Sequence, residues 1–207
     1  MRKILTALAA ICIFAIPTTA STEGKDAKAF VQELFGVGFK TATAANLTEA
    51  ERAQRLIATF EKYFHVPLIR EFLVLPVRDR FNDVQKKEYD ELFARYVVAT
   101  YATDLKKLAH ETGARLEILG EKYTKTDKYI ETIVETEFLR KEKEPVKIQW
   151  LVRRYTNTGI QKIVGFYFGQ GISLLHARQS EVRGIVEKDG ADEFLRIFRE
   201  TIKRLEM

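Results

Sequence analysis

The sequence predicts an α+β protein: a curved four-stranded antiparallel sheet covered by N- and C-terminal helices. Three observations predict it. Apolar residues recur at helical spacing through the first half of the chain. From residue 115 the period falls to two, in four segments divided by the short polar turns "TKTD", "KEKEP" and "NTG". After residue 173 helical spacing returns.

The helical half reads in order. Residues 26–42 carry Phe30, Leu34, Val37 and Phe39 on one stripe, interrupted by Gly36 and Gly38. Thr48 and Glu51 have the spacing of a capping box and open a helix whose stripe is Leu56, Ile57, Phe60 and Phe64. Pro67 suits the first turn of a short helix that Pro76 ends. Asp83 is the expected N-cap of a long helix running to about residue 109, with Tyr89, Leu92, Phe93, Tyr96, Val97 and Tyr101 along one side.

The strands are expected at 115–123, 128–139, 145–155 and 160–169, and the short turns between them imply antiparallel hairpins. On the third, Val146, Ile148, Trp150 and Val152 share a face. On the second, Glu131, Glu135 and Glu137 oppose Ile130, Val134 and Phe138. On the fourth, strict alternation sets Val164, Phe166 and Phe168 against Ile163 and Tyr167. Two helices close the chain. One runs from Ser173 to near Gly190, and the next buries Phe194, Leu195, Phe198 and Ile202.

The first twenty residues have another character. Arg2 and Lys3 precede the apolar run "ILTALAAICIFAI", too short to span a bilayer, and small residues stand at Thr18 and Ala20. This is the pattern of a signal peptide cleaved after Ala20, with an uncleaved N-terminal anchor as the rival reading, and cleavage would leave residues 21–207 as a single domain. Cys12, the only cysteine, lies inside the apolar run and would leave with it. The remaining chain has 32 basic and 29 acidic residues, a balance that does not indicate a nucleic-acid partner.

Motifs for chemistry are absent at the spacings chemistry needs. His65, His110 and His176 lie apart from one another, and no cluster has metal-ligand spacing. Ser173 and His176 are close in sequence, but no nucleophile-elbow pattern surrounds the serine, and helix capping accounts for it. The stretch "GFYFGQGIS", residues 165–173, holds three glycines and three aromatics. Its glycine spacing matches neither a dinucleotide fingerprint nor a phosphate loop. Gly169 and Gly171 read instead as a sharp turn from strand into helix. The fourth strand is apolar on both faces, so apolar groups must lie on both sides of it. Either covering helices or a ligand cavity would meet that need.

The segment "GQGISLLHARQSEVRGIVEKDGADEFLRIFRETIKRL" resembles the C-terminal signature of the MlaC-like, toluene-tolerance family. The match runs through Gly171, Ile172, Ser173, Leu174, Leu175, Arg178, Gln179, Glu181, Ile185, Val186 and Gly190. Residues 73–105 are similar to the family's segment that builds the long helix. There are departures: Pro76 and Asp79 stand near a common Gly and Trp, and Gln170 replaces an acidic residue before Gly171. These mark a divergent branch.

The resemblance implies a periplasmic carrier without cofactor, metal or catalytic residues. It would hide phospholipid acyl chains in an apolar slot and exchange them with an inner-membrane ABC transporter complex and an outer-membrane lipoprotein complex, maintaining outer-membrane lipid asymmetry. A hopanoid, a rigid polycyclic lipid handled by some relatives, is the alternative ligand. On this reading Trp150, Val152, Val164, Phe166 and Phe168 line the slot from the sheet, and Phe72, Leu73, Val97, Tyr101 and Leu174 close it from the helices. Arg153, Arg154 or Arg178 would meet a phosphate or an acidic partner. Two rivals remain: a scaffold without ligand, and a small isomerase on an NTF2-like or cystatin-like cone. The second would need an acid or base inside the cone, and the inward strand positions show no Asp, Glu or His.

Overall fold

The computed structural model describes residues 25–109, 114–141, 143–169 and 171–206. The expected signal segment with its cleavage point and Cys12, together with His110 and Gln170, lies outside the described residues.

The elements are α1 (Lys25–Thr43), α2 (Glu49–Tyr63), α3 (Val66–Val74), a 3₁₀ turn (Leu75–Arg80) and α4 (Asp83–Ala109). Then come β1 (Arg115–Lys125), β2 (Tyr129–Arg140), β3 (Lys143–Tyr155), β4 (Gln161–Phe168), β5 (Ile172–Ser173) and α5 (Leu174–Glu206). The α+β class and the antiparallel meander are as expected. The sheet has the order β1-β2-β3-β4-β5 and so carries a fifth strand beyond the four expected, a two-residue piece pairing with Tyr167 and Phe168. It exists because the glycine turn returns the chain along the edge of β4 before the helix begins.

Local chemistry sets the helix ends. The Thr48 hydroxyl accepts from the Glu51 N–H at 3.2 Å, and the Glu51 carboxylate accepts from the Thr48 N–H at 2.8 Å, which completes the capping box. His65 caps α3, its Nδ1 accepting from the Leu68 N–H at 3.2 Å. The cap of α4 is Asn82, one residue before the expected Asp83. Asn82 Oδ1 accepts from the Gln85 N–H, and Gln85 Oε1 accepts from the Asn82 N–H, both at 2.9 Å. Gln85 stands three residues after Asn82 and can reciprocate, whereas Lys86 stands three after Asp83 and cannot. Gly36 and Gly38 do not break α1. Gly190, at φ 88° and ψ 168°, does break α5, as its expected role as a stop requires.

Arg52 was not visible as a structural residue in the sequence. It is buried, and its guanidinium donates to the carbonyls of Thr41, Ala42, Ala44 and Leu47 at 2.9–3.3 Å. Thr41 and Ala42 lie in the last turn of α1, where carbonyls run short of intrahelical donors, and Ala44 and Leu47 lie in the link to α2. Arg52→Met is therefore expected to cost about 2–4 kcal/mol of stability, through orphaned buried carbonyls. Urea unfolding measures this, and an unchanged midpoint would show that the carbonyls find other partners.

Two cores result. The helical core joins Phe93 and Tyr89 of α4 to Phe194, Leu195 and Phe198 of α5, with α3 and the 3₁₀ turn against them. Tyr96 stacks on Phe198 with ring centroids 3.7 Å apart. The second core seats Ala27, Val31 and Leu34 of α1 on Val134, Val152 and Ile163 of the sheet, with Tyr63 beside them. The Tyr63 hydroxyl donates to Glu33, and burial raises its pKa above the ordinary tyrosine value. The His65 N–H donates to the Ile163 carbonyl at 2.9 Å, so the α2–α3 junction covers part of the β4 edge.

Candidate functional site

The register places the two sheet faces. Phe138 pairs with Val146, Thr136 with Ile148, Val134 with Trp150 and Thr132 with Val152, so these side chains share the face that α1 covers. On β4, Phe168 pairs with Ile148 and Phe166 with Trp150, but Ile163 pairs with Val152. The register shifts between these pairs, and Val164 is the extra residue of a bulge. The bulge corrects the expected alternation. Ile163, assigned from the sequence to the face opposite Phe166, belongs with Phe166 and Phe168 and is fully buried in the α1–sheet core.

Of the sheet residues expected at a slot, three form one aromatic row. Phe166 lies 5.9 Å from Trp150 and 5.7 Å from Phe168, ring centre to ring centre, and 6.3 Å from Phe64. All three are half-buried. Val152 is 1% exposed inside the α1–sheet core, and Val164 is 5% exposed at the bulge. From the helices, Leu73 is closed off in the helical core, while Phe72 packs against that core and the edge of His176. Val97, Tyr101 and Leu174 are half-buried. Helix α4 packs on α1, α2, α3 and α5, and the sheet packs on the same four helices, whereas direct packing of α4 on the strands is slight among the described residues. The apolar side of α4 and the aromatic row are thus joined through these four helices rather than directly.

Polar groups near this region are satisfied internally. The Trp150 indole N–H donates to the Thr136 hydroxyl at 3.1 Å, and that hydroxyl donates to the Ile148 carbonyl at 2.9 Å. Arg178 Nε donates to the Tyr101 hydroxyl at 3.2 Å, and Nη1 donates to Glu181 at 2.5 Å. Burial works against the charge on Arg178, but the hydrogen bonds it donates to Glu181 and Tyr101 outweigh it. The pKa therefore stands above the ordinary arginine value, and the cation persists at every working pH.

Arg153 lies elsewhere, on the opposite face of the sheet. It holds Glu131 at 2.5 Å and lies 4.3 Å from the Tyr129 ring centre. There Lys122 pairs with Glu135 and Lys147 with Glu137, so the acids on this face of the second strand sit in cross-strand ion pairs.

Ser173 and His176 do touch, with Oγ 2.8 Å from Nδ1. The Ser173 hydroxyl also accepts from the His176 backbone N–H at 3.3 Å, the geometry of the helix cap expected of it. The imidazole packs edge-on to Phe72, and no carboxylate is among its described contacts. Among the described residues no group of three or more His, Cys, Asp and Glu could hold a metal, and no helix is long and apolar enough to cross a membrane.

The glycine turn has the backbone that its sequence suggested. Gly169 has φ 55° and Gly171 has φ 98°, conformations that side chains with a Cβ rarely adopt. The turn carries the chain from Phe168 to Ser173, and so sets the start of α5 beside the end of the aromatic row.

Known proteins share this architecture. A family model described as "MlaC protein" matches residues 30–200. A phospholipid-binding protein from Ralstonia solanacearum, solved in complex with a phospholipid, superposes with a TM-score of 0.64 at 15% identity. The superposition covers 87% of this chain and 99% of that one. No curated protein matches the chain by sequence.

Proposed function

Because this chain belongs to the MlaC protein family, we propose that it is a lipid carrier that holds phospholipid acyl chains between the aromatic row of the sheet and the apolar side of α4. The observation that carries this reading is the row itself. Trp150, Phe166 and Phe168 are large, contiguous and half-buried on a covered face, where an ordinary core would bury them fully. Val97, Tyr101 and Leu174 close the slot from the helices. Leu73 and Val152, shut inside the two cores, support its walls, and Phe72 and Val164 stand behind it.

The energetics suit a carrier. Each buried methylene is worth about 0.8 kcal/mol, so a chain of about fifteen represents on the order of 12 kcal/mol of exposure to water avoided. The fold shared with a protein solved around a phospholipid supports a phospholipid over a polycyclic lipid. The N-terminal pattern supports a periplasmic setting, with residues 21–207 as one lipid-binding domain. Delivery between inner- and outer-membrane complexes follows from that setting. No step in this reading requires catalysis.

Protein purified from its own compartment without detergent is expected to carry phospholipid, seen by native mass spectrometry as an added mass that organic extraction removes. Protein that is empty as isolated, and takes up nothing from phospholipid vesicles, would overturn the carrier reading. An added mass matching a polycyclic lipid would replace the ligand class.

A further inference from the structure

Thr136 is a hydroxyl on a face that should be apolar. It lies on β2 between Val134 and Phe138 on the side covered by α1, and it is 1% exposed. Burying a hydroxyl is unfavourable unless its hydrogen bonds are made. Here both are made: it accepts from the Trp150 indole N–H and donates to the Ile148 carbonyl, its own register partner on β3. A valine would fill the same space without any polar demand, so the hydroxyl is useful only through what it holds.

Resting on the carrier reading above, we propose that Thr136 is the positioning residue of the lipid wall, fixing the Trp150 indole so that its polar edge turns into the sheet and only ring surface faces the ligand. An indole N–H without a protein partner needs water or a polar atom of the ligand. Either would put a wet spot in the row of Trp150, Phe166 and Phe168. With Thr136 as acceptor, Trp150 presents no free donor, and its ring lies tilted by 33° to Phe166. A wall of this kind selects saturated or unsaturated hydrocarbon and disfavours a polar headgroup at this depth. The specificity is for the acyl-chain portion of a lipid.

The test uses the full mature chain and exploits the fact that Trp150 is the only tryptophan. The probe is a phosphatidylethanolamine with a nitroxide-labelled stearoyl chain, offered in vesicles. Bound label is counted by electron paramagnetic resonance, and contact with the indole is read from fluorescence quenching. Thr136→Val, close to isosteric, is expected to shift the Trp150 emission even without lipid and to weaken retention by roughly fivefold or more, the range of one lost buried hydrogen bond. Thr136→Ser, which keeps the hydroxyl, should restore both. In a Trp150→Phe background, where no N–H remains to be placed, Thr136→Val should change retention by less than about twofold.

If the wild-type protein binds the probe while Thr136→Val matches it in emission and retention, the positioning role is overturned and the carrier reading stands. A fall in melting temperature with emission and retention unchanged means that Thr136 serves the fold alone, and this also overturns the role. A wild-type protein that binds no probe overturns both.

Discussion

Phe166→Glu is expected to abolish phospholipid retention, lowering it by about a thousandfold, while the protein still folds. Phe166 is the middle of the aromatic row, touching Trp150, Phe168 and Phe64. Loss of its ring removes about 2–3 kcal/mol of apolar contact. The new carboxylate must then either stay hydrated, which admits water to the slot, or be protonated, and each costs further free energy when a chain is bound. A total of about 4 kcal/mol corresponds to that thousandfold. The residue is half-buried, so in the empty protein the charge can reach solvent and the fold survives. Phe166→Leu, which keeps most of the apolar area, should stay within about tenfold of wild type. The count of co-purified phospholipid per protein decides the matter, and wild-type retention by Phe166→Glu would place the slot elsewhere.

Phe93→Ala should be the most destabilising single truncation in the helical core. The ring is 0% exposed, 5.7 Å from Tyr89 and 6.3 Å from Phe60, where α2, α4 and α5 meet. Removing it leaves a cavity that surrounding aromatic rings cannot fill by small shifts, at a cost of about 3–5 kcal/mol. For a chain of this size each kcal/mol lowers the melting temperature by about 2–4 °C, so a fall of about 6–20 °C is expected in a circular-dichroism melt. A shift below about 2 °C would mean that the core relaxes around the gap. Lipid retention measured well below the transition should be near wild type, because Phe93 lies in the helical core and not in the aromatic row. That contrast separates the two variants: one loses the ligand and keeps the fold, the other loses stability and keeps the ligand.

The two variants also divide what could be read from the chain. Phe93 falls on the stripe of Tyr89, Leu92 and Tyr96, and helical period alone sends such a stripe to a core. Phe166 falls in "GFYFGQGIS", where composition left open a cavity lining and a covered strand. The helices, the antiparallel strands and the glycine turn were legible because each depends on neighbours within a few residues: a repeat of 3.6, a repeat of two, a cap three residues away, or a φ that only glycine adopts readily. Even the true cap of α4 had its signal in Asn82 and Gln85, though Asp83 competed for the role.

Other features had no local signal. Strict alternation assigned Ile163 to the wrong face because a bulge at Val164 inserts one residue against Leu151 and Val152, and pairing across strands sets where a bulge falls. Nothing local marks Arg52 as buried, because its partners lie at the end of α1 and in the link that follows it. Nothing in the sequence marks Thr136, whose role depends on β3 bringing the indole of Trp150 to it. By itself the sequence determined the order and kind of the helices and of the four long strands, and the apolar character of the last of these, since those follow from short-range periodicity and backbone sterics. Only the tertiary structure decided which apolar residues became sealed core and which stayed half-open in the aromatic row. Burial is a property of what packs across from a residue, and the partners here lie tens of residues away along the chain.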